Sequence, residues 1–131
     1  MYIFTKEKKL IACIYKSKKK INNRINLSPE NELLQASIIK FDKKFILNRH
    51  FHKKVLRKTI GTQEIWIVMQ GKLKVTFYGT DKNKICSKTL NKGDISILFR
   101  GGLKFETLEK NTIIYEIKNG PYITGKDLKK F

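Results

Sequence analysis

Histidine is nearly absent from this chain. His50 and His52 are the only two, and none follows them. Cysteine is as scarce: Cys13 and Cys86 lie far apart with no CxxC spacing. That excludes a disulfide framework and a cysteine-rich zinc site, and two reduced thiols suit a cytoplasmic protein. No run of about 18 or more apolar residues occurs, so no membrane-spanning helix is expected. The opening MYIFTKEKKLIACIYKSKKK has no uninterrupted apolar stretch of the signal-peptide kind. There is no glycine-rich phosphate loop and no nucleophile elbow, so the sequence offers neither signature of a nucleotide hydrolase or a serine hydrolase. Internal repeats, linkers and a long helix are also missing.

Acidic residues are few, 11 against 29 Lys and Arg, which leaves a formal charge of +18 at pH 7. Such a field draws polyanions. The lysines are nevertheless spread along the chain, and Lys, Ile and Asn are all abundant, a bias that an AT-rich genome produces by itself. Only the KSKKK run at Lys16–Lys20 is dense. Aromatic and basic residues are not interleaved in the manner of a nucleic-acid stacking surface. The expected partner is therefore a small molecule, an anionic one such as a nucleotide-linked sugar suiting the charge, with neither nucleic acid nor membrane.

What is present is a series of short β-runs separated by turn signals, the pattern of an all-β sandwich or barrel. A length of 131 residues fits one domain with a core of its own. Strands are predicted at 2–4, 10–15, 34–41, 45–53, 63–69, 73–78, 85–90, 95–99, 103–108 and 112–117, with one helical turn at 30–35. Leu73, Val75 and Phe77 alternate with Lys72, Lys74 and Thr76, a clear division between inside and outside. Glu64, Trp66 and Val68 share one strand face, and Ile65 and Ile67 share the other. A strand apolar on both faces is covered on both, by a second sheet or by a partner subunit.

The segment NRHFHKKVLRKTIGTQEIWIVMQG carries the chemistry. In a strand, His50 and His52 project to the same side. Glu64 follows twelve residues after His52. Two imidazoles and a carboxylate brought together inside a barrel would serve as a metal site or as an acid/base pair. Trp66 would line the same cavity. Arg49 and Arg100 are candidates for binding an anion at its mouth.

These residues resemble the first motif of the cupin superfamily, an HxH pair followed by a glutamate and a glycine: His50, His52, Glu64 and Gly71. The insert after His52 is longer than in the generic motif. Thr62-Gln63-Glu64, Trp66 and Gly71 look like a group of small single-domain bacterial cupins. Gly93-Asp94 and Gly101-Gly102 resemble the second motif, and Gly120, Pro121, Tyr122, Gly125, Asp127 and Phe131 resemble the tail of those proteins. The resemblance implies a jelly-roll barrel of two antiparallel sheets over residues 1–131, with residues 1–30 peripheral and the tail capping the barrel. It also implies a homodimer.

One departure stands out. Metal-dependent cupins take a third histidine from the second motif, where this chain has Leu103 or Lys104 according to how the motif is aligned. Leucine would leave the site one ligand short. Lysine would repel a divalent cation and could pair with Glu64 instead. The resemblance thus implies a small-molecule-binding barrel lined by His50, His52 and Glu64, with Trp66, Lys104 and Arg49 as further ligand contacts. A divalent metal (zinc, iron, manganese or nickel) would be held by His50, His52 and Glu64 if at all. Two alternatives accompany it. One is a metal-free sugar-nucleotide isomerase or epimerase, with His50 and His52 as acid and base and Tyr115 as a weaker partner. The other is a degenerate cupin serving as a binding or regulatory module.

Overall fold

The computed structural model describes residues 1–17, 20–121, 123–124 and 130. Its elements are β1 (Tyr2–Phe4), β2 (Leu10–Tyr15), β3 (Arg24–Asn26), β4 (Ser37–Ile39), β5 (Glu64–Gln70), β6 (Lys72–Tyr78), β7 (Lys84–Asn91), β8 (Ile95–Leu98), β9 (Gly102–Thr107) and β10 (Ile113–Lys118). The fold is all-β, as the alternation predicts, and every strand pairing is antiparallel. A five-stranded sheet runs β1-β2-β8-β5-β10, a three-stranded sheet runs β7-β6-β9, and β3-β4 form a hairpin. Among the described residues no pairing closes these sheets into a barrel, and residues 30–35 form turns and bends in place of the helical turn predicted there.

The main core lies between the two larger sheets. Ile14, Trp66, Val68 and Leu98 of the five-stranded sheet meet Leu73, Val75, Phe77 and Leu90 of the three-stranded one. Full burial of a side chain such as Phe77 contributes about 1.5–3 kcal/mol. The other face of the five-stranded sheet carries a second apolar layer, where Cys13, Tyr15, Ile65, Ile97 and Phe99 pack with Leu27 and with Ile25 and Ile38 of the hairpin. The two-sided apolar pattern of β5 is thus explained within one chain: Trp66 and Val68 face one layer and Ile65 the other.

Glycine sets two of the turns. Gly71 sits at φ 77° between β5 and β6, and a Cβ there would collide with the Thr112 hydroxyl. Gly101 sits at φ 83° before β9, and a Cβ would strike the Tyr78 carbonyl. Both conformations and both approaches require a residue without a side chain. At the β7–β8 turn, the buried Asp94 carboxylate accepts hydrogen bonds from the backbone N–H of Ser17 and Asn91 (2.8 Å each) and pairs with Lys16 at 2.8 Å. It ties the end of β2 to that turn. Burial alone would raise the Asp94 pKa, but these donors outweigh it and hold the pKa below the ordinary aspartate value.

Two predicted strands do not form as expected. The 34–41 run is reduced to Ser37–Ile39, and the 45–53 run forms no strand. Residues 39–61 are exposed throughout and carry no regular structure beyond Ile39. The alternation of 45–53 is real, but among the described residues no neighbouring strand offers it a hydrogen-bonding partner. A strand is defined by that partner as much as by its own pattern.

Candidate functional site

At the β5–β10 edge of the main core, the inner face of the five-stranded sheet carries a polar floor. The register places Glu116 opposite Trp66 and Lys118 opposite Glu64. Directly opposed residues share a face, so all four side chains project from the inner side of the sheet. Lys118 Nζ lies 3.3 Å from Glu64 Oε1 and 3.2 Å from Glu116 Oε1. The Trp66 indole N–H donates to Glu116 Oε1 at 3.2 Å. From the facing sheet, the Phe105 ring meets Trp66 edge-on, with centroids 4.8 Å apart and planes at 86°. Burial by itself would lower the Lys118 pKa, but its bonds to Glu116 and Glu64 prevail and raise it. The three charged groups sum to one negative charge, against the sign of the whole molecule.

The gradient of exposure across this floor is useful. Trp66 is fully covered, Glu64 is mostly covered, and Glu116 and Phe105 are each close to half exposed. The covered pair fixes the geometry, while the open pair presents a carboxylate oxygen and a ring to solvent. Such a floor can accept hydroxyl hydrogen bonds and lay a ring against an apolar face of a ligand.

The predicted site residues divide sharply. Glu64 and Trp66 stand on one face of β5, as the alternation requires. His50 and His52 do not join them. Both are exposed in the irregular stretch, their rings edge-on at 5.5 Å, and His50 Nδ1 lies 3.0 Å from the Asn48 carbonyl. Arg49 is exposed beside them. Lys104 points away from this floor, exposed and paired with Glu106 at 3.2 Å, whereas Leu103 packs on the main core. Of the two, Leu103 is the one that faces inward, and the partner of Glu64 is Lys118. Tyr115 lies on the outer face of β10, 56% exposed. Tyr122 and the tail positions Gly125, Asp127 and Phe131 lie outside the described residues.

A metal does not fit this arrangement. Among the described residues, no group of three or more His, Cys, Asp or Glu side chains could hold an ion. The expected trio is divided between an exposed segment and the inner face of β5, and Glu64 is engaged by an ammonium. No helix among these residues is long and apolar enough to cross a membrane.

Sequence reading missed Lys118 and Phe105 as the partners of Glu116 and Trp66. Glu116 is offset by one from the apolar set Ile113, Tyr115 and Ile117. That offset is the signal: on β10 the apolar set faces outward and the charged set inward.

A second polar group centres on Gln63, the residue before Glu64. Its side-chain amide donates to Glu32 Oε2 at 2.7 Å and accepts from the Leu34 N–H at 2.8 Å. Its backbone N–H donates to Asn119 Oδ1 at 2.6 Å. Arg100 donates to the other Glu32 oxygen and to the Leu10 carbonyl, both at 2.6 Å. No family model, no curated protein and no solved structure matches the chain.

Proposed function

We propose that this protein is a cupin-like binding protein for a small, polyhydroxylated molecule, and that the ligand sits on the Glu64–Trp66–Glu116–Lys118 floor against Phe105. The observation that carries this reading is the pair of carboxylates bridged by one ammonium beside a half-exposed aromatic ring. Carboxylate oxygens accept hydrogen bonds from vicinal hydroxyls, and the ring covers the apolar face that a sugar presents. The sugar of a nucleotide-linked sugar has this chemistry.

The segment 45–53 belongs to the same reading. β9 is paired on one side only among the described residues, and its inward ring, Phe105, is half exposed. An added strand at that edge would cover the ring. In such a strand His50 and His52 would share one side. The two imidazoles would then serve as additional hydrogen-bonding groups, and as acid and base if the bound sugar is isomerised.

Calorimetric titration with nucleoside-diphosphate hexoses tests the reading. The wild type should bind, and Glu116→Gln or Phe105→Ala should weaken binding about tenfold, the loss expected for one charge-assisted hydrogen bond or a comparable contact. Absence of binding, or binding indifferent to both substitutions, would overturn it. Turnover of the sugar that disappears in the double variant His50→Ala/His52→Ala would extend it to an isomerase.

A further inference from the structure

A cavity of about 490 Å³ lies on the other side of β5 from this floor, walled by Glu32, Leu33, Lys58, Ile60, Phe99 and Arg100. Its volume lies within the range of small-molecule sites, about 300–1,000 Å³. Glu64 belongs to the inner face of the five-stranded sheet, whereas its neighbour Gln63 belongs to the wall of this cavity.

The charges in it are unequal in what they have left to offer. The Glu32 carboxylate is 5% exposed, with one oxygen taken by Arg100 and the other by Gln63. Its accepting capacity is therefore largely used within the protein. The Arg100 guanidinium has five N–H donors, of which the bonds to Glu32 and the Leu10 carbonyl use two, and its side chain is 40% exposed. Lys58, also in the lining, adds an exposed ammonium. One carboxylate against two cations leaves a net positive charge. Leu33, Ile60 and Phe99 supply an apolar flank.

We infer that this cavity is a second binding site, for a small anion carrying an apolar body, with the phosphate or carboxylate group held between Lys58 and Arg100. The two sites share no side chain.

The test is an amide and arginine-Nε NMR titration with phenyl phosphate. Saturable shifts are expected at Gly61, Thr62, Gly101 and the Arg100 Nε–H. Lys58→Glu should weaken binding about tenfold, the worth of one charge-assisted hydrogen bond. Lys104→Glu, the same charge change at an exposed position that does not line the cavity, should leave it unaltered. Three results would overturn the inference: no saturable shift at the cavity, no loss in Lys58→Glu, or an equal loss in Lys104→Glu, which would mean attraction to the overall charge. Arg100→Lys, which keeps a cation beside Glu32 but loses the planar fork, should also weaken binding, and unaltered binding there would overturn the role given to Arg100.

Discussion

Asp94 and Lys118 show how single charged residues are fixed by their partners. Asp94 is almost fully covered, and replacing it with Asn removes a charge that three donors surround. The expected cost is about 1.5–3 kcal/mol in urea unfolding, the scale for hydrogen bonds to a charged group, since the Lys16 left behind is partly exposed. Because its folded pKa is depressed, its stabilisation is present above the unfolded aspartate value of 3.8 and is lost as pH falls through the lower folded value. The acid limb of the stability–pH curve should therefore flatten in Asp94→Asn. Lys118 behaves in the opposite sense. Its folded pKa is raised, so its contribution is complete below the unfolded value of 10.5 and is lost as pH rises through the folded value. Lys118→Met should remove that alkaline loss and, near neutrality, leave Glu64 and Glu116 without their shared cation. A wild-type curve unchanged by either substitution would contradict these assignments.

Among the elements, the segment at 39–61 stands apart. Phe51, Leu56 and Ile60 are each 90% exposed or more, and Lys53, Lys54, Arg57 and Lys58 lie between them. Limited trypsin digestion should cut first in this stretch, leaving the strands on either side intact, since opening is easiest where apolar contacts are few. Saturating sugar ligand should slow that cut if the segment closes on β9, and unchanged cleavage would separate the segment from the site. The strands were legible where a pattern and a partner coincide, as in Leu73, Val75 and Phe77 of β6, which is paired by β7 and β9 on its two sides. The site was legible only in part. Glu64 and Trp66 share a face by local alternation, whereas Glu116 and Lys118 arrive through a register between segments some fifty residues apart, which no local pattern specifies. His50 and His52 carry a true strand pattern, but the pattern says nothing about which edge would receive it.

At the scale of the whole molecule, the divided donor set predicts that metal analysis of untagged protein will find well below one ion per chain, with no further fall in His50→Ala/His52→Ala. A full equivalent lost on that substitution would restore the metal reading. Net charge has a separate signature. Retention on heparin should fall with salt and be indifferent to the histidine substitutions. The same charge bears on the margins of β9 and β10, which among the described residues pair on one side only and where Ile113, Tyr115 and Ile117 are about half exposed. Such margins invite one molecule to stitch onto the next. Mutual repulsion between two bodies of charge +18 holds them apart over about 8 Å at physiological ionic strength. The basic surface thus acts as a guard against fibrous association, and raising the salt should turn a clear solution into one that scatters light.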